Sequence, residues 1–261
     1  MILDRLAASA RKRVEEKKRR RPLTELQREA EAMEKNTGFP FRQALEAEGI
    51  SFICEVKKAS PSKGIIAEQF PYLEIAEDYQ AAGAAAISVL TEPEYFLGQD
   101  RYLEEIARQA ALPVLRKDFT VDPYQIYEAK VLGASAVLLI CSILSLEQLK
   151  EYLKLARGLG LSALVETHDS REIDLALEAG AGIIGVNNRN LQDFQVDVSN
   201  SLRLRELIPP GVLYVSESGV RTRRDVEILE QNGTDGVLIG ETLMRSPDRQ
   251  RTLRELKGGA G

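Results

Sequence analysis

Lys117 and Glu166 each stand directly behind an apolar run, in VLRKDF and SALVET. An ammonium and a carboxylate held about one substrate width apart form an acid–base pair. Taken singly, each reads equally well as a solvated loop charge. FICEVKKASPSKG adds a second such couple, Glu55 and Lys57, which share with Ile53 one parity of a strand and therefore one face. Charges on an inner face are costly unless they line a polar cavity or pair with each other. If Lys117 is buried beside Lys57, its ammonium pKa is expected to fall, which would make it a better proton donor near neutral pH.

Three further segments carry recognition chemistry. Asn187-Asn188-Arg189 offers amides and a planar guanidinium fork suited to hydroxyl and carboxylate groups, although asparagines also favour turns. Ser216-Glu217-Ser218-Gly219 and Gly240-Glu241 place glycine where backbone N–H groups could approach a phosphate closely. Glu217 would repel phosphate, so it is expected to point inward toward a reacting centre or a hydroxyl. Tyr95-Phe96-Leu97-Gly98 supplies aromatic surface, either for a substrate ring or as a roof. His168, in Thr167-His168-Asp169-Ser170, reads as a loop or helix-capping residue.

Eight apolar runs must position these groups. They begin at Phe52, Ala86, Pro113, Ala136, Ser162, Ile183, Val212 and Gly236, so their starts lie 21 to 34 residues apart. Helical patterns fill the gaps, at 72–82, 100–110, 123–132, 145–159, 170–179, 199–207 and 222–231. Several end at a glycine suited to a left-handed cap: Gly83, Gly133, Gly160, Gly180 and Gly233. Strands alternating with helices predict parallel pairing. Eight units with polar residues repeatedly at the strand ends predict a (β/α)₈ TIM barrel whose active site lies at the carboxyl face. Residues 1–48 hold two or three helical patterns, broken at Pro22 and Asn36-Thr37-Gly38. They are expected as an N-terminal helical extension that covers one end or shapes the mouth, with 49–261 forming the barrel of a single domain.

The 261 residues suit one barrel, and 44% hydrophobic with 29% charged residues is ordinary for a globular chain. No apolar run approaches the roughly 20 residues of a membrane span, and no signal-peptide pattern opens the chain, so a cytoplasmic location is expected. One histidine excludes a multi-histidine metal site, and Cys54 and Cys141 read as buried reduced thiols. The net charge is −5, yet residues 11–21 read RKRVEEKKRRR. That run is expected to be a solvated helix face rather than a nucleic-acid arm, because no aromatic residue accompanies it.

At EVKKASPSKG, SVLTEPEYFLGQ, LRKDF, LVETH, GVNNRNL, SESGV and LIGETLM the chain resembles the indole-3-glycerol phosphate synthases of tryptophan biosynthesis, over nearly its whole length. The resemblance implies ring closure, decarboxylation and dehydration of 1-(2-carboxyphenylamino)-1-deoxyribulose 5-phosphate, with no cofactor or metal. It implies Lys117 as the general acid, Glu166 as its paired carboxylate, and Glu55, Lys57, Asn187 and Glu217 as further catalytic positions. Arg189 is expected to face the substrate carboxylate, Ser60, Ser218, Gly219 and Gly240 the phosphate, and Phe96 and Phe119 the rest of the substrate. Asn190 and Glu241 depart from the family pattern, where an acidic residue and a serine respectively occur. The partner expected is a phosphorylated small molecule, with neither nucleic acid nor membrane, and the chain is expected as a monomer or weak homodimer.

Two other readings fit parts of the pattern. A sugar-phosphate aldolase or isomerase barrel would use Lys117 as a Schiff-base nucleophile. A non-catalytic barrel would merely bind a phosphorylated ligand, and intact Lys117, Glu166 and Glu217 argue against it.

Overall fold

A computed structural model describes residues 2–190 and 194–259. Leu191, the last residue of the GVNNRNL segment, lies outside the described residues. Helices α1 (Ile2–Arg20), α2 (Leu23–Ala32) and α3 (Pro40–Leu45) come first. Strand β1 (Ser51–Val56), a hairpin of β2 (Ala59–Ser60) and β3 (Gly64–Ile65), and α4 (Tyr72–Ala81) follow. The chain then alternates through β4 (Ala86–Leu90), α5 (Asp100–Gln109), β5 (Val114–Lys117), α6 (Pro123–Val131), β6 (Ala136–Ile140) and α7 (Leu146–Gly158). It continues through β7 (Ser162–Thr167), α8 (Ser170–Ala179), β8 (Ile183–Asn187), α9 (Ser199–Leu204), β9 (Leu213–Glu217) and α10 (Arg223–Gln231). It ends with β10 (Gly236–Ile239), α11 (Glu241–Met244) and α12 (Arg249–Leu256).

Each of the eight apolar runs contains one strand of a closed parallel barrel, ordered β1-β10-β9-β8-β7-β6-β5-β4. Both faces of every strand are covered, which is why the runs are near-continuously apolar instead of alternating. One parity faces the helices, as with Phe52, Cys54, Ile87, Val137, Val165 and Ile184. The other fills the barrel, with Ile53, Leu115, Leu138, Leu164, Val215 and Leu238. Two residues further along, the inward parity of β1, β5, β7 and β9 becomes Glu55, Lys117, Glu166 and Glu217. Alternation thus turns four ionisable side chains into the carboxyl-terminal mouth.

Side chains mark the helix starts: Asp122 caps α6, Asp169 caps α8, and Ser145 and Thr222 form capping boxes with Gln148 and Asp225. The five glycines expected after helices all have positive φ, Gly180 at 85° among them. The helix expected over 199–207 stops at Leu204 and tightens into a 3-10 turn, Arg205–Leu207. The β2–β3 hairpin, α11 and α12 are additions that the strand spacing did not indicate.

The extension does both of the things proposed for it. Leu6, Ala7 and Ala10 of α1 pack with Phe119 and Val121 at the mouth. Phe41 and Leu45 of α3 join Ile53, Ala136 and Ile183 at the opposite end, where Ser51 Oγ donates to the Ala44 carbonyl at 2.7 Å. Between them, α2 packs along α6.

The basic run is more than a solvated face. Arg13, Lys17 and Lys18 lie on the side of α1 turned to the barrel loops. Arg13 forms a fork on Asp118 at 2.8 and 3.2 Å, Lys17 reaches Asp100 and Glu128, and Lys18 reaches Asp122 at 2.7 Å. Arg116, outward-facing and buried on β5, binds Asp100 at 2.9 Å and Glu128 at 2.7 Å. A charge run in sequence cannot reveal this, because the acidic partners lie about a hundred positions away. Cys54 and Cys141 are buried free thiols, and burial pushes Cys141 up to about 12.

Candidate active site

A cavity of about 520 Å³ opens at the carboxyl ends of the strands. Its apolar lining comes from Ile2 and Leu6 of α1, Phe96, Phe119, Leu138 and Ile140. Its polar and charged lining includes Glu55, Lys57, Lys117, Glu166, Asn187 and Glu217. Arg189, Ser60, Ser218, Gly219 and Gly240 line its rim. All thirteen residues that the resemblance implied for the site therefore border one space.

Lys117 and Glu166 meet across alternate strands, with Nζ 3.1 Å from Glu166 Oε2. Glu217 Oε2 lies 3.7 Å from the same ammonium. Asn187 Nδ2 donates to Glu166 Oε1 at 3.3 Å, and Asn187 Oδ1 accepts from the Arg189 N–H at 3.0 Å. Lys57 follows the end of β1, yet its ammonium folds back onto Glu55 Oε1.

The expectation of a lowered Lys117 pKa is wrong. Burial does pull it down, but Glu166, Glu217 and Glu55 outweigh burial and hold the ammonium above its ordinary value. The Lys57 ammonium pairs with Glu55, its near neighbour in sequence. The two carboxylates sharing Lys117 split. Burial alone would raise Glu166, but the close Lys117, with His168 and Asn187, keeps it below the usual carboxylate value. Glu217 is pushed up to about 8 by burial and by Glu166, with Lys117 opposing. Of the two, Glu217 is the one whose surroundings favour the protonated form, and Glu166 the one held ionised. Its Oε1 is buried and has no hydrogen-bond partner among the described residues.

The two glycines make room in different ways. Gly240 has φ −120° and needs no unusual backbone. A Cβ there would fall 2.4 Å from Glu55 Oε1 and 2.8 Å from Lys57 Nζ, so its emptiness houses the Glu55–Lys57 pair. Gly219, at φ 95°, does need left-handed freedom, as does Ser218 before it at φ 70°. A Cβ at Gly219 would also meet Val196 Cγ1 and Val198 Cγ2 at 2.7 Å.

Arg189 holds the rim together. Its Nη1 donates to the Phe194 carbonyl at 3.3 Å and to Ser62 Oγ at 3.5 Å, and Nη2 lies 3.6 Å from Glu241. Glu241 is also 3.7 Å from Lys63 of the hairpin loop and 3.2 Å from Arg245. Phe96 and Phe119 stand 6.1 Å apart, tilted by 43°. Phe96 is positioned by Glu92, fully buried, whose carboxylate accepts the backbone N–H groups of Glu94, Tyr95 and Phe96 at 2.7 to 3.0 Å.

The family model described as Indole-3-glycerol phosphate synthase matches residues 3–256. The chain belongs to the indole-3-glycerol phosphate synthase family. An indole-3-glycerol phosphate synthase of Ruminiclostridium cellulolyticum is 56% identical over 260 residues, covering 100% of both chains. One from Endomicrobium trichonymphae is 55% identical over 257 residues, covering 98% of this chain and 100% of the relative. Among solved structures, 3-hexulose-6-phosphate synthase from Salmonella typhimurium superposes with a TM-score of 0.66 at 14% identity. That alignment covers 80% of this chain and 97% of the other, and the likeness is one of fold alone.

Within this member of the indole-3-glycerol phosphate synthase family, sequence reasoning missed several residues that shape the site. Gly185 makes room for Glu217, Glu92 seats Phe96, and Asp118 ties the turn after Lys117 to α1. The signal for Gly185 was a glycine inside a strand, which marks a close approach. Glu92 gave a weaker one, an acid just ahead of Pro93. His168 does not cap α8, since Asp169 does; its ring lies against Glu166 instead. No described helix is long and apolar enough to cross a membrane.

Proposed function

We propose that this cavity converts 1-(2-carboxyphenylamino)-1-deoxyribulose 5-phosphate to indole-3-glycerol phosphate, CO₂ and water. The observation that carries this reading is the Lys117–Glu166 pair at 3.1 Å, set in a mouth lined by both apolar and charged side chains. The apolar side chains suit the anilino ring, and Arg189 and the glycine-bearing turns suit the two anionic ends of the substrate.

Lys117 protonates the ribulose carbonyl oxygen as the carboxylate-bearing ring carbon attacks the carbonyl carbon. Its raised pKa makes it a cation first, stabilising the oxygen as negative charge develops, and a proton donor second. Loss of CO₂ returns the electron pair to the ring and restores aromaticity. The new hydroxyl then leaves as water while the neighbouring carbon gives up a proton, which needs an acid and a base. Glu217, whose surroundings favour its protonated form, is a suitable acid, the Glu55–Lys57 pair assists, and Glu166 is the base that takes the carbon's proton and returns it to Lys117. Asn187 keeps Glu166 in place. Much of the acceleration comes from holding ring and carbonyl in contact.

A Schiff-base role for Lys117 needs a free amine, and three surrounding carboxylates favour the ammonium. The reading further takes residues 1–261 as one barrel domain with 1–48 as its extension, supported by α1 lining the same cavity as the strands. It places the protein in the cytoplasm as a monomer or weak homodimer. Turnover of Lys117→Ala, followed by indole fluorescence on a variant with an unchanged melting curve, is the test. Abolished ring closure is expected, and near-normal turnover overturns the reading.

A further inference from the structure

His168 is the only histidine of the chain, and the mechanism above leaves it unused. Its ring sits just beyond β7, with the side chain 18% exposed. Nδ1 lies 3.0 Å from Glu172 Oε2 and 3.3 Å from Ser142 Oγ. The backbone N–H of His168 donates to the same Glu172 oxygen at 2.8 Å, and the Ser142 hydroxyl donates to the other. Asn200 Nδ2 on α9 donates to the His168 carbonyl at 3.1 Å. Ring and backbone are thereby fixed from three sides. The remaining edge, Nε2, is buried, makes no hydrogen bond among the described residues, and lies 3.5 Å from Glu166 Oε1.

We propose that His168, oriented by Glu172 and Ser142, is a positioning residue for Glu166. Its Nε2–H and the Asn187 amide hold Oε1 between them, so that Oε2 stays turned to Lys117. The inference rests on the reading of Glu166 as the partner of Lys117. The groups around the ring agree with a cationic imidazole. Glu166 faces it from β7, Glu172 from α8 and Glu217 from β9. The turn after β6 presents the Ser142 hydroxyl. Burial lowers the imidazole pKa, but the Glu172 hydrogen bond and these carboxylates raise it above the ordinary histidine value. A cation there also helps keep Glu166 ionised, since Lys117 is shared with Glu217.

The test is the pH dependence of kcat for His168→Ala and His168→Gln, with Lys117→Ala in the same assay. Removing the imidazolium raises the pKa of Glu166, so the acidic limb of kcat is expected to move to higher pH in both variants. At neutral pH kcat of His168→Ala is expected to fall about tenfold, with KM changed far less. His168→Gln restores a neutral donor and recovers part of kcat without returning the limb. Melting curves show which variants are folded, and His168→Gln carries the test if His168→Ala is not. An unmoved limb with kcat within about twofold of wild type overturns the inference. So does a fall in kcat whose limb stays in place, because a merely structural role predicts that. If Lys117→Ala also turns over normally, the underlying reading has failed; if Lys117→Ala is inactive, only the role of His168 has.

Discussion

A Cβ at Gly185 would lie 2.1 Å from Glu217 Oε1 and 3.1 Å from its carboxyl carbon. Strand β8 leaves an inward position empty so that its neighbour β9 can turn a carboxylate into the mouth. Gly240 stands in the same relation to Glu55 and Lys57. In both cases the missing side chain sets where an ionisable group rests, and the backbone conformation does not require glycine.

Gly185→Ala is therefore expected to fold but to displace Glu217 from its seat beside Lys117. Overpacking of this kind costs about 1–3 kcal/mol, readable in a denaturant titration. Turnover should drop by roughly 100-fold, the scale of a misplaced acid–base group. A variant with unchanged turnover would show that Glu217 can shift without consequence.

The raised pKa of Glu217 makes stability depend on pH with a definite sign. The folded state favours its protonated form, so its contribution is complete below the ordinary carboxylate value and is lost as pH rises toward about 8. Glu217→Gln cannot ionise and escapes that loss. Its melting temperature relative to wild type should climb between pH 5 and pH 9. A constant difference across that range would contradict the neutral-acid assignment.

Arg13 and Asp118 fasten α1 to the turn that follows Lys117. Asp118 is buried and is left with the Phe119 N–H, the Thr91 hydroxyl and a more distant Arg116 when Arg13 is removed. Arg13→Ala should cost roughly 2 kcal/mol, less than the 3–5 kcal/mol of a fully broken buried pair. KM should rise as Ile2 and Leu6 loosen at the mouth. Burial raises the Asp118 pKa, but Arg13 and Arg116 more than offset it, so the group lies below its ordinary value. Its contribution stands above that ordinary value and disappears as pH falls through the lowered one. Variant and wild type should converge in acid. Urea unfolding at pH 7 and at a series of progressively lower pH values measures both arms.

The barrel and most of the site were legible in the chain itself. Burial on both strand faces demands continuous apolar runs, and the period of two then assigns Glu55, Lys117, Glu166 and Glu217 to one side. Helix caps such as Asp122 and Ser145 are local and read directly. What required the folded molecule is everything set by neighbours distant in sequence. The direction of the Lys117 shift depends on three carboxylates from three other strands, and Lys57 is paired with one of them, Glu55. The basic run finds its acids only when α1 crosses the mouth, and His168 meets Glu166 only because Glu172 turns its ring. The amino-acid order determined the fold, through periodicity and short-range hydrogen bonding. Tertiary structure decided the charge states and contacts of the site, because those follow from distances of a few ångströms between residues that the chain holds far apart.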